Sequence, residues 1–186
     1  MNRFAELTLL CLVFPVVFVP IIAIAILIKL SSRGPVIYWS DRVGRDGKIF
    51  RMPKFRSMLV GAPEVATHLL DDPGSWLTPI GSFLRRSSFD ELPQLWSVLR
   101  GDMSFVGPRP ALFNQHDLIS LRQCNGVIAL RPGITGWAQV NGRDALSTAE
   151  KVALDLEYLK TRNWIVDIKI MFITLLTVCR RSGVIH

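Results

Sequence analysis

From Leu7 to Ile28 the chain carries no charged residue, and Thr8 is its only hydroxyl. At about 1.5 Å per residue this run makes roughly 33 Å of helix, enough to cross a hydrocarbon core of about 30 Å. Pro15 and Pro20 fall inside it. Each removes an i→i−4 hydrogen bond and frees a carbonyl that is costly in hydrocarbon. The residues alone leave two arrangements open, a kinked span and a re-entrant hairpin turning back near Pro20. Ala23-Ile24-Ala25 resembles a signal-peptide cleavage site, but the run continues to Ile28 and only Arg3 charges the region before it, so a retained segment is expected. Lys29, Arg33, Arg42 and Arg45 follow closely, which by the positive-inside rule keeps the downstream domain in the cytoplasm.

After Gly34-Pro35, the runs V-I-Y-W-S and K-I-F-R-M flank V-G-R-D-G, and Asp46-Gly47 between them predicts a β-hairpin. Residues 60–79 show no sustained period and predict a loop with one short helix. Leu92, Leu95, Trp96 and Leu99 recur at helical spacing before Gly101, predicting a helix over Glu91–Leu99 with Asp90 as N-cap and Pro93 at the third helical position. Ser147-Thr148-Ala149-Glu150 is a capping box opening a helix to about Lys160. Ile165–Cys179 is apolar on nearly every face, a core helix or one lying in the membrane interface, and is short for a span. The expected fold is α+β, mainly helical: a membrane-inserted segment over 1–33 and one cytoplasmic domain over 34–186, with a β-hairpin and interfacial amphipathic helices.

The length, 186 residues, suits one domain with a short appendage. The excess of 22 Lys and Arg over 15 Asp and Glu gives +7, which suits nucleic acid, anionic headgroups or phosphorylated substrates. Cys11, Cys124 and Cys179 are far apart and odd in number, indicating neither a disulfide framework nor a zinc site. His68, His116 and His186 are scattered and are expected to be structural or surface residues.

Asp90 and Glu91 are adjacent carboxylates at the start of a predicted helix, preceded by Arg85 and Arg86, a setting that attracts phosphate. An Asp there can also be a simple cap. Downstream, G-D-M-S-F-V-G-P-R-P (101–110), R-P-G-I-T-G (131–136) and N-G-R (141–143) each place an arginine beside Gly/Pro turns. Such turns let backbone N–H groups approach an anion, and guanidinium gives bidentate phosphate contacts. With Lys54 and Arg56 in K-F-R-S-M, they suggest a site for more than one phosphate. Neither a P-loop nor a Rossmann fingerprint is present.

The strings K-F-R-S-M (54–58), S-F-D-E-L-P-Q-L (88–95), G-D-M-S-F-V-G-P-R-P (101–110), R-P-G-I-T-G-W-A-Q-V-N-G-R (131–143) and D-I-K-I (167–170) closely resemble the bacterial sugar transferase family, the monotopic phosphoglycosyl transferases. The resemblance runs in order along nearly the whole chain and implies the minimal catalytic form, without the extra membrane domain of larger members. It implies a re-entrant membrane helix, a location in the inner membrane with the catalytic domain in the cytoplasm, and a Mg²⁺-dependent transfer from a UDP-sugar to polyprenyl (undecaprenyl) phosphate. Nucleic acid is not an implied partner. The implied catalytic dyad is Asp90 and Glu91, which would also hold the metal. Arg109, with Arg85, Lys54, Arg56 and Arg143, would bind substrate phosphate, and Arg131, Pro132, Gly133, Thr135 and Gly136 the nucleotide. One departure is Val19-Pro20, where members often carry Ser-Pro at the helix break.

A carboxylate can attack phosphorus and divide one transfer into two. Asp90 would then expel UMP and pass the sugar-phosphoryl group to the lipid. Two rivals stand beside this: a direct glycosyl transferase with Asp90 as base, releasing UDP, and a non-enzymatic tethered protein whose basic face binds anionic lipid or nucleic acid.

Overall fold

The computed structural model of the chain describes residues 2–63 and 72–180. The apolar run forms α1 (Arg3–Ser31), capped by Asn2, whose side chain accepts from Ala5 N at 2.9 Å. Helical structure continues through both Pro15 and Pro20. The prolines therefore sit within the helix without ending it.

Both ends of α1 are fastened to the folded domain. At the N-terminal end Arg3 donates to the carbonyls of Val98 and Leu99. Glu6, fully buried, accepts from Ser104 Oγ at 2.7 Å and from Arg131 Nη1 at 2.8 Å, with Arg3 at 3.4 Å. At the other end Ile24 and Ile28 pack with Phe55 and Leu84. Arg56 reaches up to donate to Ser32 O, Ser32 Oγ and Arg33 O, closing the last turn. Gly34, at φ 118°, makes room for this: a Cβ there would lie 2.0 Å from Arg56 Nη1. The opposite side of α1 exposes Phe4, Leu12, Val16, Val19 and Leu30.

The hairpin is β1 (Ile37–Val43) and β2 (Ile49–Phe55), antiparallel with Ile37 opposite Phe55 and Val43 opposite Ile49. Its turn uses positive φ at Asp46 (57°) and Gly47 (77°), as the Asp-Gly signal requires. The short β4 (Ala111–Leu112) joins the other edge of β1. Part of the loop expected over 60–79 is described: Pro73–Trp76 is a 3₁₀ turn and Met58 bridges Leu77, while residues 64–71, and with them His68, lie outside the described residues, as does His186.

After α2 (Gly81–Arg86), the chain forms a 3₁₀ segment, Phe89–Gln94, and only then α3 (Leu95–Arg100). This corrects the expected α-helix from Glu91. Pro93 has no N–H to give and disfavours α geometry in the residue before it, so regular α-helix starts beyond it. Asp90 therefore lies inside the 3₁₀ segment and is not an N-cap; Ser88, at φ 57°, occupies the preceding position. A second sheet pairs β3 (Ser104–Val106) in parallel with β5 (Gly133–Thr135). Around it stand α4 (His116–Cys124), α5 (Trp137–Val140), α6 (Thr148–Thr161) and α7 (Trp164–Arg180). The capping box of α6 forms in both directions between Ser147 and Glu150.

α7 has two characters. Ile170 is fully buried with Val106, Leu130 and Tyr158, whereas Trp164, Ile165, Ile168, Phe172 and Leu175 are exposed. The architecture is thus mixed helix and strand, rich in helix, with one N-terminal helix apolar and long enough to cross a membrane.

Replacing Glu6 by Leu leaves Arg131 and Ser104 without their shared acceptor. Removing one partner of a buried ion pair costs about 3–5 kcal/mol, and with Arg131 partly solvated the loss should fall near 3 kcal/mol. Glu6→Gln, which keeps an acceptor for Ser104, should lose less. Thermal unfolding in lipid nanodiscs checks this; a Leu variant as stable as the parent would make the clasp energetically idle.

Candidate active site

The 3₁₀ segment packs along β2 and brings Glu91 under Lys54. Glu91 Oε1 accepts from Lys54 Nζ at 3.1 Å and from Arg109 Nη2 at 2.7 Å. Three separate strings, K-F-R-S-M, S-F-D-E-L-P-Q-L and G-P-R-P, thus meet at one carboxylate. Burial alone would raise the pKa of Glu91, but the charges of Arg109 and Lys54, the Arg109 hydrogen bond and the charge of Arg143 outweigh it and hold the carboxyl well below the usual range.

Asp90 goes the other way. It is buried, and burial is the largest influence, pushing its pKa up; Glu91 adds to this, against the pull of Lys54, Arg85 and Arg109. Neighbouring arginines favour its ionised form, but desolvation wins. The cations feel the same burial. Lys54 is pushed down by desolvation, with Glu91 opposing and Arg109 adding to the fall. Arg85, held by Ser57 Oγ at 3.1 Å, is lowered by burial against Asp90.

Among the expected phosphate ligands, Lys54, Arg85, Arg109 and Arg143 therefore act on the dyad. Arg56 does not: its guanidinium closes the C-terminal end of α1. The residues expected at the nucleotide have other partners. Arg131 is bound to Glu6, and Thr135 Oγ1 lies 2.6 Å from Thr174 Oγ1. Pro132 O accepts from Ser104 N at 2.8 Å. Gly133 and Gly136 are placed by backbone contact: a Cβ on Gly133 would lie 2.1 Å from Gly107 N, and one on Gly136 2.1 Å from Gly107 O. The R-P-G-I-T-G string is pressed against G-P-R-P, and its glycines allow two backbones to touch.

Sequence reasoning missed four contributors. Arg42 stands beside Arg109 and Glu91, donates to Pro110 O at 3.2 Å, and is lowered to about 10 by burial and then by Arg109. Arg122 donates to Asp155 Oδ2 through Nε at 3.0 Å and Nη2 at 2.7 Å, and through Nη1 to the carbonyl of Arg109 at 2.7 Å. That buried pair holds the backbone from which Arg109 projects. Asp155 recurs with Val152 and Tyr158 at a spacing of three on the buried face of α6, so a carboxylate in an apolar stripe was the available signal. Glu6 was passed over as a flank of the apolar run.

Among the described residues no group of three or more His, Cys, Asp or Glu could form a metal cage. Two adjacent carboxylates nonetheless suit Mg²⁺, which commonly takes one or two protein carboxylates and completes its shell with substrate phosphates and water.

The bacterial sugar transferase family model matches residues 1–181. The chain is 42% identical over 185 residues to the UDP-glucose:undecaprenyl-phosphate glucose-1-phosphate transferase of Escherichia coli K12, covering 94% of this chain and 39% of that protein. It is also 42% identical over 170 residues to the undecaprenyl-phosphate galactose phosphotransferase of Salmonella typhimurium, covering 81% and 34%. A sugar transferase of Bacillus subtilis, EpsL, is 39% identical over 157 residues, covering 84% and 76%. The chain spans about two fifths or less of the first two proteins. With the family model matched almost end to end, the chain belongs to the bacterial sugar transferase family.

Proposed function

We propose that this protein transfers a sugar 1-phosphate from a UDP-sugar to a polyprenyl phosphate through a covalent intermediate on Asp90. The observation that carries the reading is the division between two neighbouring carboxylates: Glu91 is tied to Lys54 and Arg109, while Asp90 is buried beside it, close to the same cations. Glu91 positions the cations. Asp90, poorly solvated and close to them, is the nucleophile.

In the first step an Asp90 oxygen attacks the sugar-bearing phosphorus, the bond to the bridging oxygen breaks, and UMP leaves with that oxygen. In the second, a phosphate oxygen of the polyprenyl phosphate attacks the same phosphorus and the bond to Asp90 breaks, giving a polyprenyl diphosphate sugar and a free carboxylate. Arg109 and Lys54 face the charge on the transferring group, and Arg85 and Arg143 add to the field. Arg122 and Asp155 fix the Arg109 turn, and the 131–136 string acts on the nucleotide end by shaping that turn from below. Mg²⁺ would be held by the oxygens of Asp90 and Glu91 with the substrate phosphates, and would supply neutralisation of diphosphate charge. The sugar is open between at least glucose and galactose, the two in the names of relatives equally identical to this chain.

We read α1 as re-entrant, with the domain on the cytoplasmic face of the inner membrane. Arg3 and Glu6 at one end and Ile24 and Ile28 at the other are bound to the same domain, which favours both ends on one side. The exposed apolar residues of α1 and α7 would face lipid.

Incubation with UDP-glucose or UDP-galactose and undecaprenyl phosphate should release UMP; release of UDP would establish a direct glycosyl transferase. Without the lipid, part of the enzyme should gain the mass of one sugar phosphate on the peptide containing Asp90. Asp90→Asn should abolish both signals. A persisting adduct in that variant would move the nucleophile elsewhere.

Arg109→Lys cannot reproduce the planar fork, and loss of one such donor should lower kcat by about 10²-fold with normal folding. Turnover near that of the parent would reduce Arg109 to a structural partner of Glu91.

For the topology, single cysteines at Asn2 and Arg33, in a background lacking Cys11, Cys124 and Cys179, should both resist an impermeant thiol reagent in intact cells. Strong labelling at position 2 would establish a span.

A further inference from the structure

Between α1 and the dyad lies a cavity of about 340 Å³ lined only by apolar side chains. That volume is at the lower end of small-molecule sites, so it suits a segment of a chain better than a whole lipid. One wall is membrane helix: Leu10, Phe14 and Ile21, contributed from both sides of Pro15 and Pro20. The facing wall begins at the residue after Glu91, with Leu92 and Pro93.

The cavity and the charged site share two boundaries. On the 3₁₀ segment, Asp90 and Glu91 serve the site, and the next two residues line the cavity. On β2, successive side chains point to opposite faces of the strand. Pro53 turns into the cavity with its cross-strand partner Trp39, while Lys54 turns to Glu91. An apolar slot thus abuts a cationic one across a single strand. The complementary ligand is an amphiphile with a hydrocarbon chain and a phosphate head.

We propose that this cavity holds the first isoprene units of the acceptor lipid and sets its phosphate toward Asp90. The assignment rests on the transferase reading above for the identity of the lipid. The chain enters along α1, beside Phe14 and Ile21, and its head passes the Pro53–Lys54 boundary. Trp39, half exposed at the hairpin, stands where an indole would contact the chain just below the headgroup level. The groove makes the acceptor's chain, and not its phosphate alone, a determinant of binding.

The test uses the full chain in phosphatidylethanolamine and phosphatidylglycerol vesicles with a polyprenyl phosphate carrying a photoreactive group in its first isoprene units. Crosslinks should map to Leu10, Phe14 and Ile21 on α1 and to Leu92, Leu95 and Leu99 on the facing wall, and should be suppressed by excess undecaprenyl phosphate but not by extra phosphatidylglycerol. Crosslinks confined to outward residues such as Leu12, Val16 or Leu175, or competed equally by phosphatidylglycerol, would overturn the proposal, the latter making the cavity a slot for bulk lipid. Filling it with Ile21→Trp should raise KM for undecaprenyl phosphate about tenfold and leave KM for the UDP-sugar within about twofold. An unchanged lipid KM would also overturn it. Crosslinking needs no turnover, so an inactive protein that crosslinks in the groove would sink the transferase reading alone, and an active one without groove crosslinks would sink the groove alone.

Discussion

A carboxylate buried in an otherwise apolar helix must be satisfied, and Glu6 is satisfied by the domain it belongs to. Taking an ion out of water costs several kcal/mol even after relaxation, so its partners are not interchangeable with solvent. Ser104 and Arg131 supply them, one from β3 and one from the residues leading into β5. The clasp thus joins the membrane helix to the sheet on which both G-P-R-P and R-P-G-I-T-G are built. Arg56 does the corresponding work at the far end, where its guanidinium holds Ser32 and Arg33, the residues just past the last turn. With both ends fixed, the residues of α1 between them keep a constant relation to the 3₁₀ segment and the hairpin.

The same logic of one acceptor serving several donors organises the dyad. Glu91 receives Lys54 and Arg109, and Arg109 is itself placed by Arg122 through its backbone carbonyl, with Asp155 behind. This chain runs from α6 to the 3₁₀ segment without a break. A buried network whose members are all satisfied is rigid, and a guanidinium that is already oriented loses little freedom when a phosphate arrives.

Local signals were legible in the sequence and long-range pairings were not. The Asp46-Gly47 turn and the Ser147–Glu150 capping box are each decided by neighbours within four residues, and both formed as expected; the apolar run formed one helix continuous through Pro20, where a break is one of the two arrangements the residues alone leave open. The start of α3 was misplaced because periodicity cannot separate 3₁₀ from α over one turn, and Pro93 was read as tolerated where it sets the boundary. Lys54 and Arg109, expected at substrate phosphate, both reach Glu91. Arg131 and Arg56 look identical in pattern, an arginine among Gly, Pro or Ser, yet one answers a buried carboxylate and the other a helix end. Gly133 and Gly136, expected at the nucleotide, make room for the backbone of Gly107. Composition marks where close approach occurs; only the fold says what approaches.

The basic surplus of the chain takes on a specific meaning at this site. Arg42 and Lys54 are both held below their ordinary pKa, first by desolvation and then by the positive charge of Arg109. Cations crowded in a poorly solvated place are uncomfortable with one another, and one glutamate cannot neutralise all of them. A surface patch would let water absorb that repulsion. Here burial keeps it, so on the proposed reading an arriving diphosphate would relieve the repulsion as it binds and replace lost hydration with fixed donors. The role of Glu91 would then be to hold the cations in place without saturating them, which would reconcile a pair of acidic residues with a site that takes anions.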